Sequence, residues 1–200
     1  MKNESNRYFF NEKTILITGE YDKTGKLVTR IIEGEDTFLV DQPPLKIIEK
    51  NLLLVGSNLK GARKSSMEIL GPHLRFYPLA INSHLDIFLL PTRSGRKSNC
   101  VWFSLAHIKK QTPIGTKKTE VVTSYGHVVE IELRTMSFNN RIKNAKYLRD
   151  SIISNTLNPL NLYLEPKMGF FVCEDAGENK YTIRFIDPEE DDEDDEDLEK

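Results

Sequence analysis

DIFLLPTRSGRKSNCVWFSLAHI, residues 86–108 of a 200-residue chain, sets a basic stretch between two apolar runs. Asp86–Leu90 stops at Pro91, which has no backbone donor to extend a ladder. Val101–Ile108 is a longer run of Val, Trp, Phe, Leu and Ile. Both have the length and composition of strands. Between them, Thr92–Asn99 carries Arg93, Arg96 and Lys97 and reads as a loop held by two rigid strands.

Working upstream, Thr14–Thr18, Leu27–Ile32, Thr37–Val40 and Leu45–Ile48 are short runs rich in Ile, Leu, Val and Thr, separated by Gly, Asp and Pro. Each is expected to be a strand. Tyr21–Gly25 suits a tight hairpin connection and Asp41–Pro44 a turn. Downstream, Glu120–Thr123 and Val128–Leu133 flank Ser124–His127, where Gly126 can supply a positive φ. Phe138, Ile142, Ala145, Leu148 and Ile152 recur at helical spacing. They predict one long helix over about 137–155, with Ser137 at its N-cap and Thr156–Pro159 as its stop. Leu160–Leu164, Phe170–Cys173 and Tyr181–Ile186 then suit a short β-rich appendage. The expected fold is α+β, mostly antiparallel β-sheet with one long helix. A body over 1–158, an appendage over 159–186 and a tail over 187–200 is the expected division.

Charge divides the chain unevenly. The formal net charge is −2, yet residues 187–200, DPEEDDEDDEDLEK, hold eleven Asp/Glu and one Lys. Such a run buries nothing and repels itself, so a disordered acidic tail is expected. The other 186 residues carry a net +8, and residues 57–149 alone carry sixteen basic and five acidic residues. A field of that sign attracts polyanions. The chain has two cysteines and no CxxC pair, which fits a reducing compartment. The N-terminus lacks the apolar centre of a signal peptide, and no stretch approaches the ~20 apolar residues of a membrane span. A cytoplasmic, nucleoid-associated protein with no membrane partner is the expectation.

Catalytic and cofactor patterns fail on inspection. Gly56–Gly61 has the G-x4-G frame of a phosphate loop, but Ala62-Arg63 stand where Lys and Ser/Thr must follow. A Gly-rich basic loop is the better reading, and no long apolar helix is expected after it. His73, His84, His107 and His127 form no metal spacing with each other or with cysteine. Cys100 and His107 lie in one expected β segment, which is no evidence for a catalytic pair. No enzyme activity and no cofactor are expected.

The basic residues instead group in loops. Lys60, Arg63 and Lys64 follow the glycine. Arg93, Arg96 and Lys97 sit between the two strands of the opening stretch. Lys109, Lys110, Lys117 and Lys118 are expected in a loop after Ile108, and the long helix adds Arg141, Lys143, Lys146 and Arg149. Arginine on a loop between rigid strands suits a narrow A·T-rich minor groove, whose negative potential is enhanced. With only one helix evident, a helix-turn-helix is not expected.

Several pieces together carry a family resemblance. They are Asp86–Ser94, Cys100-Val-Trp-Phe-Ser104 and His107-Ile108, with Ile31-Ile32-Glu33, Pro44–Ile47, Gly56-Ser57, Thr119–Val121 and Ser137–Asn140 in order. From about residue 25 to 150 the chain resembles the competence transcription factors of the ComK type. The resemblance implies a transcription activator that binds A·T-rich double-stranded DNA, largely through the minor groove, as a homo-oligomer. It implies that Phe88 and Trp102 are core, and that Thr92 and Ser94, beside Arg93 and Arg96, are candidates for backbone or phosphate contacts. Leu160–Lys167 loosely resembles the stretch by which family members reach a Clp-protease adaptor. The match departs at Ala62, where the family tends to place a basic residue, and the acidic tail has no counterpart. That tail supports an alternative: a protein-interaction or inhibitory module that has lost DNA binding, or a tail that addresses RNA polymerase.

Overall fold

The computed structural model describes residues 7–157, 170–175 and 180–185. The chain divides into two units, Met1–Leu157 and Asn158–Lys200. The expected strand Leu160–Leu164 and the acidic run fall outside the described residues.

The first unit is built on a six-stranded antiparallel sheet in the order β3-β2-β1-β6-β5-β4. Its strands are β1 (Thr14–Tyr21), β2 (Leu27–Glu33), β3 (Asp36–Val40), β4 (Leu79–Asn82), β5 (Ile87–Pro91) and β6 (Val101–Ser104). Period-two alternation explains why β5 is apolar throughout. Ile87 and Leu89 face one core and Phe88 and Leu90 the other, so every residue of the strand is buried. On β6, Trp102 and Phe103 divide in the same way. The β1–β2 hairpin turns as expected. The Asp22 carboxylate accepts from the Thr24 hydroxyl and from the Lys26 and Thr24 N–H groups, which lowers its pKa.

One face is covered by two helices that the short apolar runs did not reveal, α1 (Pro44–Leu54) and α2 (Leu59–Leu70). Leu45–Ile48, expected as a strand, is the first turn of α1. Pro44 stands at N1, where a missing N–H costs nothing. Ile47, Ile48, Asn51 and Leu52 then recur on one buried stripe. The Asn51 side chain accepts from Phe10 N–H (2.8 Å) and donates to the Tyr8 and Ile47 carbonyls (both 2.9 Å), tying the N-terminal segment to the helix. Gly56–Gly61, expected as a loop, is half helical. Asn58 caps α2 by accepting from Gly61 N–H at 2.8 Å. α2 runs through Gly61, but it is short and mostly polar and buries only Ala62 and Ser66 fully, so no long apolar helix follows the G-x4-G frame.

The other face is covered by α3 (Thr135–Leu157) and a three-stranded sheet of β7 (Ile108–Ile114), β8 (Lys118–Thr123) and β9 (Val128–Ile131), in the order β7-β8-β9. Val101–Ile108 is therefore not one strand. A 3-10 turn, Leu105–His107, carries the chain from one sheet to the other. Lys109 and Lys110 lie on β7 and Lys118 on β8, so of the four lysines expected in a loop only Lys117 is in the turn. The β8–β9 turn has Tyr125 and Gly126 at φ +65° and +77°, which closes the three-residue connection Ser124–Gly126 below the Thr123 N–H bond to the His127 carbonyl. α3 begins two residues before the expected cap, at Thr135, and Ser137 lies in its first turn. Buried Thr119 sets that start: its hydroxyl donates to the Leu133 carbonyl at 2.6 Å and lies 2.9 Å from the Thr135 hydroxyl. Phe138, Ile142, Ala145 and Leu148 are buried, as their spacing predicts.

In the second unit, Phe170–Asp175 (β10) and Lys180–Phe185 (β11) form an antiparallel hairpin.

His107 gives the first unit a pH response. It is buried at the sheet crossover, one ring nitrogen (Nε2) 2.8 Å from the Glu12 carbonyl, the other (Nδ1) without a partner among the described residues. Burial pushes its pKa below the ordinary 6.5, and nearby Lys109 acts in the same direction. The unfolded chain then takes up a proton that the fold refuses, so stability falls as pH drops below about 6.5. Urea midpoints between pH 7.5 and 5.5 are expected to fall for the parent and to change less for His107→Gln. Equal slopes would refute this role.

Candidate nucleic-acid interface

The loop Thr92–Asn99 is framed rather than free. Thr92 is buried, its N–H donates to the Val101 carbonyl, and its hydroxyl accepts from Val101 N–H at 3.0 Å. The residue extends the β5–β6 ladder and forms the base of the loop. The buried Cys100 thiol closes the same base against the Arg93 carbonyl at 3.4 Å, and burial raises its pKa. Two successive turns, Ser94–Lys97 and Lys97–Cys100, shape the tip. Gly95 lies flat on Trp102: a Cβ there would stand 2.5 Å from the indole ring. Only glycine permits that approach, and Arg93, Ser94 and Arg96 of the same loop line a cavity.

That cavity, about 180 Å³, lies between the Thr92–Asn99 loop, α2, and the segment leading into β4. Leu45, Leu59, Leu79, Pro91 and Trp102 form much of its wall, with Arg63, Arg75, Arg93 and Arg96 among its lining residues. Arginines from three separate parts of the chain thus meet at one place. Arg141 of α3 joins from the side. Its guanidinium carbon lies 4.5 Å from the Phe76 ring centre, and its Nη1 donates to the Pro91 carbonyl at 2.6 Å. Arg75 stacks on the same ring at 5.4 Å, and Arg63 lies 5.9 Å from the Tyr77 ring. Burial lowers the Arg141 pKa, and Arg93 lowers it further; the group stays charged, as arginine does.

Among the described residues no carboxylate lines the cavity, and none of the ion pairs uses these arginines. The pairs lie elsewhere. Arg149, for example, bonds to Asp86 through Nε and Nη2, which fastens α3 to the start of β5. The arrangement concentrates positive charge around aromatic faces, with no ion-pair partner for it among the described residues.

Of the residues singled out in the sequence, the cavity gathers Arg63, Arg93, Ser94 and Arg96. Lys60 and Lys64 are exposed on α2 beside Arg63, and Lys97 is exposed on the loop. Lys143 and Lys146 are exposed on α3, while Lys109 and Lys110 are exposed on β7; none of these four lines the cavity. Sequence reasoning missed Arg75, Phe76 and Tyr77. Their signal was a basic residue directly beside two aromatic ones, a pattern suited to stacking and phosphate contact. The Tyr77 hydroxyl donates to the Gly71 carbonyl at 2.8 Å, and Ser66 Oγ to the Pro78 carbonyl at 2.6 Å, which hold this segment against α2.

Among the described residues no helix is long and apolar enough to cross a membrane, and no group of three His, Cys, Asp or Glu could hold a metal ion. No solved structure matches the chain. The competence transcription factor of Bacillus subtilis (strain 168) is 30% identical over 142 residues, 71% of this chain and 73% of that protein. The family described as ComK protein matches residues 5–156, and with this body, its arginine-rimmed cavity and its Thr92–Asn99 loop in place, the chain belongs to the ComK family.

Proposed function

We propose that this protein is a transcription activator of the competence-regulator type that binds A·T-rich duplex DNA, largely through the minor groove and as a multimer. The observation that carries the reading is the meeting of Arg63, Arg75, Arg93 and Arg96 around one cavity with no described carboxylate to neutralise them. Such a surface gains by releasing counterions from a phosphate backbone. Arg93 and Arg96 on the loop Thr92–Asn99 enter the groove. Ser94, Lys97, Lys60 and Lys64 contact phosphates beside it, and Arg141, Lys143 and Lys146 extend the positive field along α3. Lys109 and Lys110 serve a further stretch of backbone from β7, and Thr92 contributes by fixing the loop. The site of action is the cytoplasmic nucleoid.

The test is duplex affinity, with and without paired A·T tracts, across a salt series. Tract-selective binding that falls steeply with salt is expected. Equal affinity for all duplexes would remove the groove-reading claim, and no binding would remove the function.

The acidic run 187–200, eleven Asp/Glu in fourteen residues, favours a second reading in which the chain works through a protein partner and has given up duplex binding. A 1–186 truncation, titrated beside the full chain, separates the two. A gain of roughly tenfold at low salt is expected, because a tethered polyanion competes at high effective concentration. Unchanged affinity would remove a braking role, and no binding by either form would favour the protein-partner reading.

A further inference from the structure

The arginine-lined cavity has more wall than phosphate binding needs. At ~30 Å³ per water it has room for about six waters. Leu59, Leu79 and Trp102 line it with apolar surface. A duplex presents its phosphates outward and keeps its rings stacked inside, so it could satisfy the guanidiniums and still leave this wall empty. Trp102 also carries an unused donor. Trp102 is 4% exposed, and its indole N–H has no partner among the described residues. Buried indole N–H groups normally find an acceptor. That donor is itself buried, so the ligand is read from the cationic rim and the apolar wall, which occur in one cavity and call for different parts of one ligand.

We propose that this cavity is a nucleotide site, which takes an unstacked planar ring against its apolar wall and the attached phosphate on its arginines. The guanidiniums of Arg63, Arg75, Arg93 and Arg96 supply the forked donors that phosphate geometry favours. The ligand is a free mononucleotide or one unit of an unpaired strand; the chemistry is shared. The inference does not rest on duplex binding, but it uses Arg63, Arg93 and Arg96 in common with it. A nucleotide and a duplex that both need them weaken each other by the same factor.

The chain has a single tryptophan, so its emission reports on this cavity alone. The full chain is titrated with dAMP and dTMP, with the matching nucleosides, with inorganic phosphate, and with single-stranded and duplex dT8/dA8. Emission and calorimetry are read together. At least one mononucleotide is expected to saturate, about tenfold or more tighter than phosphate or its nucleoside, since ring and phosphate contribute separately. Leu59→Asn, which makes part of the apolar wall polar, is expected to lose about tenfold of nucleotide affinity by calorimetry while inorganic phosphate is unchanged. Saturation by the mononucleotide assigns the site to a free ligand; saturation by the single strand but not the duplex assigns it to an unpaired strand. No saturable binding by either, or phosphate binding as tightly as every nucleotide, overturns the proposal. Duplex anisotropy on the same preparation keeps the two readings apart. Duplex bound without nucleotide sinks this site alone, and nucleotide bound without duplex sinks the proposed function alone.

Discussion

Replacing Arg93 and Arg96 together by Ala is expected to weaken binding to an A·T-tract duplex roughly a hundredfold, because a hydrogen bond to a charged group contributes about 1.5–3 kcal/mol. Both side chains line the cavity beside the loop Thr92–Asn99, and neither is paired among the described ion pairs. The loop itself does not depend on them. Its base is held by the Thr92–Val101 bonds and its tip by Gly95 on Trp102. The double variant therefore tests charge without removing the frame. The salt dependence is the sharper readout. Removing one phosphate-neutralising charge lowers the slope of log K against log[salt] by about 0.9, so the pair is expected to lower it by nearly two. Lys117→Ala is the control. It lies in the β7–β8 turn, exposed and away from the cavity, and a change of no more than about threefold is expected from a rim charge of this kind. If the double variant bound like the parent, the loop would not be the probe.

Phe138→Ala is expected to cost about 3–5 kcal/mol of stability, the range for removing a buried aromatic ring. The ring is fully buried, and its centre lies 5.5 Å from that of Phe103, tilted at 62°. This pair joins α3 to the main sheet at the strand that also carries Trp102. Loss of the ring leaves a cavity between two rigid layers that relax only partly. Urea unfolding checks it, with Met136→Ala as the comparison. Met136 is 78% exposed on the same helix, and its replacement is expected to stay within about 0.5 kcal/mol. A cost below about 1 kcal/mol for Phe138→Ala would mean that α3 does not seal this face.

Legibility followed the range of the interaction. The helix 135–157 was readable because five apolar residues from Phe138 to Ile152 repeat at helical spacing over four turns. Leu45–Ile48 was not readable, because a short, largely apolar run has no period. Its helix is declared only by Pro44 before it and by Asn51 and Leu52 after it, and Asn51 is a polar residue buried for its three bonds to the N-terminal segment and helix. Val101–Ile108 looked continuous because both sheets want the same residue types; the turn at Leu105–His107 changes the direction of the chain, not its hydrophobicity. At the candidate site, Arg63, Arg93 and Arg96 stood out by charge. Arg75 did not, since one arginine in a short connection reads as ordinary surface until Phe76 beside it is seen to hold Arg141 as well.

What the sequence determined by itself was the set of local and summed properties. These are the apolar strand read over Asp86–Leu90, which the structure places at Ile87–Pro91, the long helix, the positive middle, the acidic end and the ordered motif series of the family. Each depends on neighbours within a few residues or on a total, and neither kind of quantity needs a fold. Only the tertiary structure decided which charges lie together. Arg63, Arg75, Arg93 and Arg141 are far apart in the chain, and they meet because α2 and α3 pack at the same edge of one sheet, around aromatic rings that tolerate guanidiniums on their faces. Their convergence is a product of packing geometry, and packing is set by contacts between distant residues that no local pattern encodes.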